Sequence, residues 1–397
     1  MKKIFLSTLM FGNLFLNANQ NYNYIDELEK PIKENVKAKD IVMYQKINGD
    51  DFQLSNFFNA EINIKNFEDE YLKHLEIKAG LNNLFRIKDY HITNNLENQT
   101  NDLEKFQGYG SLKIKLLNDN IKNTFGIVNL NTPLLNSKNT TTIYKTYYYG
   151  DLFSSKFSIS ETDTYLYFGY FNKIDKNFSG LEDINNINNK GIYTIGGFLT
   201  KNNIDTNLQL IYNENNYIEY YFDVTNIVNN KLKSSFQFLY QENKNELIKL
   251  YDNYIYGAKT DYLIDSENLL SFAINIKKDL SNNNIKNIDF NDYNINLYTN
   301  SLYLTPINFN NTGNIKISYK TNYKNNKYSI NFFKTFEKFD DNLFEDSVFE
   351  LDLRAKMILD NPNTNYSFDF IYLNRKEDNT DNLIKNKIFR IFIEHKF

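Results

Sequence analysis

The sequence predicts an all-β fold, a transmembrane antiparallel β-barrel of about 18 strands (16–18), with long extracellular loops and short periplasmic turns. Three observations predict it: a short apolar segment at the amino terminus, many segments in which apolar and polar residues alternate, and a phenylalanine at the carboxyl terminus. A strand with one apolar and one charged face needs lipid on one side and water on the other.

The carboxyl-terminal segment 387–397 alternates clearly. Arg390 and Glu394 lie on its polar face, whereas its apolar face contains Phe389, Ile391, Ile393 and Phe397. A terminal aromatic residue is typical of the last strand of bacterial outer-membrane barrels. We therefore expect this segment to close the barrel.

The amino terminus has the pattern of a secretory signal peptide. Lys2 and Lys3 precede an apolar run, and the small residue Ala18 marks the region of cleavage. The run is shorter than the roughly 20 residues that a spanning helix needs, and a buried amino-terminal helix is the alternative. We assign 1–18 to a signal peptide, 19–56 to a periplasmic lead-in without clear alternation, and 57–397 to the barrel in the outer membrane of a Gram-negative bacterium.

Composition excludes several classes of protein. Hydrophobic residues make up 41% of the chain, which contains 31 Tyr and 33 Phe but no Trp or Cys. Abundant aromatic residues argue against disorder, and the lack of cysteine excludes thiol catalysis and cysteine–metal sites. The net charge of −4 gives no sign of a nucleic-acid partner.

Alternation recurs along the chain in segments longer than soluble strands, which average about five or six residues. A soluble sandwich is the alternative, but segments of about nine to thirteen residues suit tilted membrane strands. The predicted strands are 57–66, 72–80, 83–92, 107–117, 121–130, 141–149, 163–172, 191–200, 204–213, 217–225, 231–241, 253–263, 267–277, 314–323, 326–336, 347–359, 363–374 and 387–397. Bacterial barrels have an even strand number, which requires 278–313 to be one long outer loop. A strand at 293–299 would break that parity.

Three segments resemble a known family. Gly126-Ile-Val-Asn-Leu-Asn-Thr-Pro-Leu-Leu-Asn136 is similar to the Gly-x-Gln-x-Leu-x-Thr-Pro-Leu segment of OprD-like outer-membrane porins. Leu208-Gln-Leu210, followed by Tyr217 and Asp223-Val224, and Tyr256-Gly-Ala-Lys259 are similar to further stretches of that family. The resemblance implies an eighteen-stranded barrel, sometimes trimeric, with an inward-folded third loop and a basic ladder along the lumen.

The lumen residues follow from the alternation and the resemblance. Arginine occurs only at Arg86, Arg354, Arg375 and Arg390, so lysines would have to supply most of a basic ladder. The expected pore-lining residues are Lys113, Lys115, Lys138, Lys316, Lys320, Glu350, Asp352, Arg354, Lys356 and Arg390, although such charges can also merely hydrate the wall. We expect 131–140 to fold inward and form a constriction through Asn131, Thr132, Pro133, Leu134 and Asn136; an ordinary surface loop is the alternative.

These features predict a porin that allows passive diffusion of small hydrophilic solutes through a charged lumen. The alternative is an outer-membrane adhesin that binds through its loops. His74, His91 and His395 lack the spacing of a metal site, and no catalytic motif is present, so we expect no enzyme, cofactor or metal. The expected partners are outer-membrane lipid or lipopolysaccharide, the barrel-assembly machinery and small solutes; monomer and homotrimer both remain open.

Overall fold

The computed structural model describes residues 36–47, 51–65, 72–86, 105–116, 120–137, 146–159, 161–175, 182–183, 191–213, 217–243, 253–279, 297–300, 313–324, 326–336, 348–358, 363–376 and 383–396. Within these ranges the regular elements are β-strands. Among these residues no helix is long and apolar enough to cross a membrane. The predicted signal peptide, 1–18, lies outside the described residues.

The strands follow one another in chain order around a single sheet. They are β1 (Val36–Ile47), β2 (Asp51–Lys65), β3 (Leu72–Arg86), β4 (Lys105–Leu116), β5 (Ile121–Val128), β6 (Tyr147–Ile159), β7 (Thr162–Asp175), β8 (Glu182–Asp183), β9 (Ile192–Lys201), β10 (Ile204–Asn213), β11 (Tyr217–Ile227), β12 (Leu232–Asn243), β13 (Asn253–Leu263), β14 (Asn268–Asp279), β15 (Gly313–Tyr323), β16 (Asn326–Phe336), β17 (Val348–Ile358), β18 (Thr364–Lys376) and β19 (Leu383–Lys396).

The sheet closes into a ring, because β1 pairs with both β2 and β19. Of the 19 strands in the described residues, all except the two-residue β8 belong to the ring, since β7 pairs directly with β9. All these pairs are antiparallel, and every strand of the described ring is paired on both sides, so the ring itself has no edge strand. The predicted all-β antiparallel barrel is confirmed.

The two rims of the ring differ in their connections. One rim, the short-turn edge, contains brief connections such as 202–203, 228–231 and 264–267, and also the start of β1 and the end of β19. The opposite rim, the long-loop edge, contains 87–104, 129–146 and 280–312. Because β14 pairs directly with β15, the segment 280–312 is one connection between neighbouring strands, as the parity argument requires.

Polar side chains shape the tight turns of the short-turn edge. The Asp265 carboxylate accepts hydrogen bonds from the backbone N–H of Glu267 at 2.8 Å and of Asn268 at 2.9 Å. These bonds, with the Asn268 side-chain amide contributing most, lower the pKa of Asp265. Asn202 and Lys324 adopt left-handed φ values of 52° and 53° in other turns of the same edge. Asn tolerates this region better than most residues because its short side chain can bond to the local backbone.

The two faces of the wall have opposite character. On β15, Ile317 and Tyr319 are 43% and 37% exposed on the outside, while Ser318 between them is 4% exposed. The same alternation holds on β12, where Phe236 faces outward and Gln237 inward. The outer face is therefore an apolar band, and the inner face carries the polar groups, which is the sidedness of a barrel in lipid.

Two predicted boundaries are wrong. The supposed lead-in, 19–56, contains β1 and the start of β2, and β1 forms the seam with β19, so the barrel begins at Val36 rather than at residue 57. The alternation of β1 was hard to recognise for two reasons. Ile41 and Met43 are apolar although they lie on the inner face, and Asp40 is charged although it lies on the outer face. The predicted strands 72–80 and 83–92 are one strand, β3, whose Asn82 and Asn83 pair on both sides instead of forming a turn.

Candidate functional site

The candidate site is the inner wall of the ring from β10 to β18. Directly opposed residues on neighbouring strands form three rows, which we name from the long-loop edge downward. The upper row contains Gln209, Tyr221, Leu239, Ile255 and Lys277. The amide row contains Asn207, Asp223, Gln237, Gly257, Asn275, Asn314 and Thr335. The charged row contains Asp205, Thr225, Ser235, Lys259, Ala273, Lys316, Phe333 and Glu350.

Residues 130–137, which follow β5, form the first inward segment. It folds back on itself: the Ser137 N–H donates to the Leu130 carbonyl at 2.6 Å, and the Thr132 N–H donates to the Leu135 carbonyl at 2.8 Å. The Ser137 hydroxyl accepts the Leu130 N–H at 2.8 Å. These bonds satisfy the backbone of a segment that has left the sheet, so it can lie in the interior without unpaired polar groups at these positions.

Gln209 on β10, the fourth ring strand after β5, fixes this segment to the inner wall. Its side-chain oxygen accepts the Leu134 N–H at 2.9 Å. Its amide nitrogen donates to the hydroxyls of Thr132 and Thr194, both at 2.9 Å. Gln209 faces inward, since its neighbour Leu208 is 49% exposed on the outer face while Gln209 is 4% exposed. The described part of the predicted constriction therefore lies inside the ring, whereas Lys138 and 138–140 fall outside the described residues.

Apolar packing also holds the first inward segment. Leu134 and Leu135 are both 0% exposed and belong to one cluster of inward-facing side chains. Other members of that cluster are Tyr148, Leu152, Tyr167, Phe171, Ile192, Ile211, Tyr221, Leu239, Ile255 and Leu297. Burying a leucine contributes roughly 1.5–3 kcal/mol. One side of the interior is thus filled with apolar side chains, which alternation alone did not predict.

Replacing Gln209 by leucine should loosen the first inward segment. Gln209→Leu keeps the size of the side chain but leaves the buried Leu134 N–H without its acceptor, which costs about 1–3 kcal/mol. We expect larger and noisier single-channel currents in planar bilayers. Gln209→Glu keeps an acceptor for Leu134 and should behave closer to the wild type. Identical currents for wild type and Gln209→Leu would show that the apolar cluster alone holds the segment.

A second inward segment, Leu297–Asn300, comes from the connection 280–312. The Tyr298 N–H donates to the Gln237 side chain at 3.2 Å, and the Thr299 N–H donates to the Asn275 side chain at 3.1 Å. The Asn300 carbonyl accepts a hydrogen bond from the Lys316 ammonium. The expectation that the whole connection is an outer loop is therefore wrong for these residues, which contact the amide row and the charged row. Residues 297–299, the described part of the alternative strand at 293–299, form a turn and not a strand.

The Tyr298 side chain of the second inward segment is buried against β12. Its hydroxyl donates to the Phe236 carbonyl at 3.2 Å. Burial raises the pKa of this hydroxyl well above its ordinary value, and the nearby Asp223 carboxylate raises it further. Tyr298 therefore stays protonated over the whole physiological range and remains a hydrogen-bond donor.

Gly257 leaves the gap that accommodates this docking. A Cβ at residue 257 would lie 2.6 Å from Cγ of Gln237 and would also collide with the Asn275 amide. Gln237 and Asn275 are the two side chains that accept hydrogen bonds from the backbone N–H groups of Tyr298 and Thr299. A glycine at this point of the amide row lets both side chains occupy the interior together.

Filling this gap should release the second inward segment. Gly257→Val would displace Gln237 and Asn275, so we expect increased single-channel conductance with a barrel that still folds. Ala258→Val is the matched control, because Ala258 is the next residue and is exposed on the outer face. Equal conductance of the two variants and the wild type would contradict the docking role of Gly257.

Seven of the predicted pore-lining residues lie on inward-facing positions of described strands. They are Lys316 and Lys320 on β15, Glu350, Asp352, Arg354 and Lys356 on β17, and Arg390 on β19. Arg354 makes a bidentate ion pair with Asp369, with N–O distances of 2.6 and 2.7 Å. Asp369 is directly opposed to both Arg354 and Arg390, so one buried carboxylate lies between two arginines. Lys113 and Lys115 lie on β4, but their side chains are outside the described set.

Sequence reasoning missed the charges on β11 to β13. Lys233 is directly opposed to Asp261, and the Lys259 ammonium lies 2.7 Å from the Asp261 carboxylate. Asp223 accepts the Asn207 amide at 3.0 Å and the Tyr221 hydroxyl at 2.7 Å. The signal was present in the sequence, because Lys233, Ser235 and Gln237 alternate with the outward-facing side chains of Phe236 and Phe238.

No family model matches the chain, and no curated protein is similar to it in sequence. Solved structures do match. Acinetobacter baumannii OccAB1 superposes with a TM-score of 0.71 at 13% identity, covering 91% of this chain and 95% of that chain. Pseudomonas aeruginosa OccK5 (OpdH) gives 0.70 at 10%, covering 91% and 97%, and P. aeruginosa OprD gives 0.68 at 13%, covering 91% and 94%. The chain has the OprD-type barrel fold.

This OprD-type barrel agrees with the fold that the sequence resemblance implied. Its seam is formed by β19, on which Phe389 and Ile393 face outward at 39% and 37% exposure. Ile391 shares that face and pairs with Tyr44 of β1. Phe397 lies outside the described residues, so the role of the terminal aromatic side chain stays a prediction.

Proposed function

We propose that this OprD-type barrel is an outer-membrane porin through which small hydrophilic solutes diffuse passively. The observation that carries the proposal is the closed ring with an apolar outer face and a polar, charged inner face. A ring of this size is wide enough for an aqueous passage, whereas about eight strands would be filled by side chains. The solved structures of the same fold support this assignment.

The first inward segment narrows the passage beside β5 to β10, and the second narrows it beside β12 to β15. The apolar cluster occupies the wall from β5 to β13, so solutes would move along the charged wall formed by β15 to β18. Selectivity in such a pore comes from its narrowest cross-section and from the charges that line it. Lysine and arginine on β12 to β17 stand among aspartate and glutamate, which favours small charged or zwitterionic solutes over neutral ones. No catalytic step is needed, and we assign none.

The partners follow from the same assignment. Outer-membrane lipid surrounds the apolar band, and the barrel-assembly machinery inserts the chain with β19 as its closing strand. A homotrimer remains a proposal beside the monomer. No observation on the described residues favours the adhesin alternative.

Liposome swelling tests the proposed function. Proteoliposomes that contain the folded protein should swell in isotonic solutions of small amino acids, and more slowly as solute size increases. A heat-unfolded sample is the control. Absence of swelling with folded, inserted protein would contradict a solute pore and would favour a closed binding protein.

A further inference from the structure

The outer face of the barrel carries exposed lysines near the long-loop edge, from β14 to β1. This lysine arc consists of Lys46, Lys278, Lys334, Lys385 and Lys387. Each lysine faces outward and lies among the last or first few residues of its strand at that edge. Among the described side chains, the outward positions of this arc near the edge include no carboxylate.

The row pairing shows how the lysines are placed relative to one another. Lys334 is directly opposed to Phe349, Phe349 to Asn374, and Asn374 to Lys385. Lys334 and Lys385 therefore share one row that crosses β16 to β19. The Phe349 ring between them packs against Phe332 at 5.0 Å and Tyr372 at 6.1 Å.

An aromatic arc fixes the height of the lysines in the membrane. On β7 to β13 the same rim carries outward tyrosines: Tyr170 and Tyr193 lie 4.8 Å apart, and Tyr220 and Tyr240 lie 6.0 Å apart. Tyrosine belts mark the boundary between the hydrocarbon and the headgroups. Tyr240 is directly opposed to Tyr254, and Tyr254 to Lys278, so Lys278 continues this belt.

The apolar band lies directly below the lysine arc. Ile276, Ile317, Ile330, Leu353 and Phe370 are all between 36% and 49% exposed on the outer face. A lysine at the margin of such a band keeps its stem on the apolar surface and extends its ammonium into the headgroup layer. Single-sign positive charge at this height complements phosphate groups.

We propose that the lysine arc binds the phosphate groups of lipopolysaccharide in the outer leaflet. This inference rests on the proposed outer-membrane location, in which the long-loop edge faces outward and the chain ends face the periplasm. The short-turn edge lacks the same single sign: Lys231 lies near Asp265 and Glu267 in neighbouring turns. The arc therefore distinguishes the two leaflets as well as holding a lipid.

Binding of lipid A in detergent micelles tests the proposal. The probes are bisphosphorylated lipid A and its dephosphorylated form, and the dissociation constant is measured for the folded protein at fixed salt. We expect the wild type to bind the phosphorylated form at least tenfold more tightly. The variant Lys278→Gln, Lys334→Gln, Lys385→Gln should lose that difference. The control Lys201→Gln, Lys231→Gln, Lys324→Gln removes equal charge from the short-turn edge and should keep it.

Three results would overturn the inference: a wild type that does not distinguish the two lipids, an arc variant that still does, or equal losses in the arc and control variants. A heat-modifiable gel shift confirms that each variant is folded. Conductance of the same samples separates this inference from the proposed function. A protein that conducts but shows no preference for the phosphorylated lipid would support the porin function and contradict the lysine arc. A protein that prefers the phosphorylated lipid but does not conduct would support the lysine arc and contradict the porin function.

Discussion

Single-channel conductance should rise several-fold when the tip of the first inward segment is removed. In the variant, residues 132–135 are replaced by Asn-Gly, a dipeptide that closes a two-residue turn well. The Asn131–Asn136 bridge remains at the base of the segment. Leu134, Leu135 and the Gln209 contacts are lost, so only the base of the segment, with Leu130 and Ser137, stays anchored.

Conductance should increase because removing the segment widens the cross-section of the passage. The segment extends inward from the end of β5 and contacts Gln209 on β10, the fourth ring strand after β5, so its removal leaves that part of the passage open. The control Asn230→Gly creates the same Asn-Gly pair in an exposed turn of the short-turn edge and should leave conductance unchanged. Conductance that stays at the wild-type value in the first variant would mean that the constriction lies elsewhere.

Ion selectivity should change most when Lys320 is replaced by glutamate. Lys320 lies on the inner wall, where its charge interacts with Lys259, Lys316, Asp261 and Arg354. Two unit charges about 4 Å apart interact by ~1 kcal/mol in water, so reversing one lumen charge should alter the cation-to-anion permeability ratio on the order of several-fold. The Lys320→Glu pore should favour cations relative to the wild type.

Reversal potentials in a salt gradient measure this ratio. Lys324→Glu makes the same change of charge in an exposed turn on the short-turn edge and should cause a much smaller shift. High salt should reduce the effect of both substitutions because it screens exposed charges. A shift of equal size in both variants would assign the effect to net charge and remove Lys320 from the filter.

The Arg354–Asp369–Arg390 row should contribute to the thermal stability of the barrel as well as to its selectivity. Asp369 is 0% exposed and Arg390 is 2% exposed. Removing one partner of a buried charge pair costs about 3–5 kcal/mol, because the other charge stays buried. Asp369→Asn should therefore lower the unfolding temperature in a heat-modifiable gel assay more than Asp163→Asn, which changes an exposed carboxylate near the short-turn edge; equal temperatures would contradict a structural role for the row.

Period-two alternation was sufficient to predict the barrel and the inward position of charges such as Arg354 and Lys316. It works where lipid and water select opposite residue types on the two faces. It failed at β1, because the interior there accepts Ile41 and Met43 and the alternation disappears. It also divided β3, because Asn82 and Asn83 favour turns locally while the pairing with β2 and β4 keeps them extended.

The inward segments depend on contacts between residues far apart in the chain. A resemblance to known porins pointed to Asn131–Asn136, but neither periodicity nor composition could show that Gln209 would hold Leu134. The second inward segment had no such signal: Leu297–Asn300 reads as a strand, and its docking needs Gly257, Gln237 and Asn275 on three different strands. Such sites become visible only when the register of the sheet is known.

Electrical recording of the folded wild-type protein in a planar bilayer tests the central claim most directly. A polar passage through an apolar ring predicts discrete, stable current steps whose size increases with salt concentration. Protection of the barrel from protease shows that the protein is inserted. Inserted protein that gives no current steps would contradict a continuous aqueous passage.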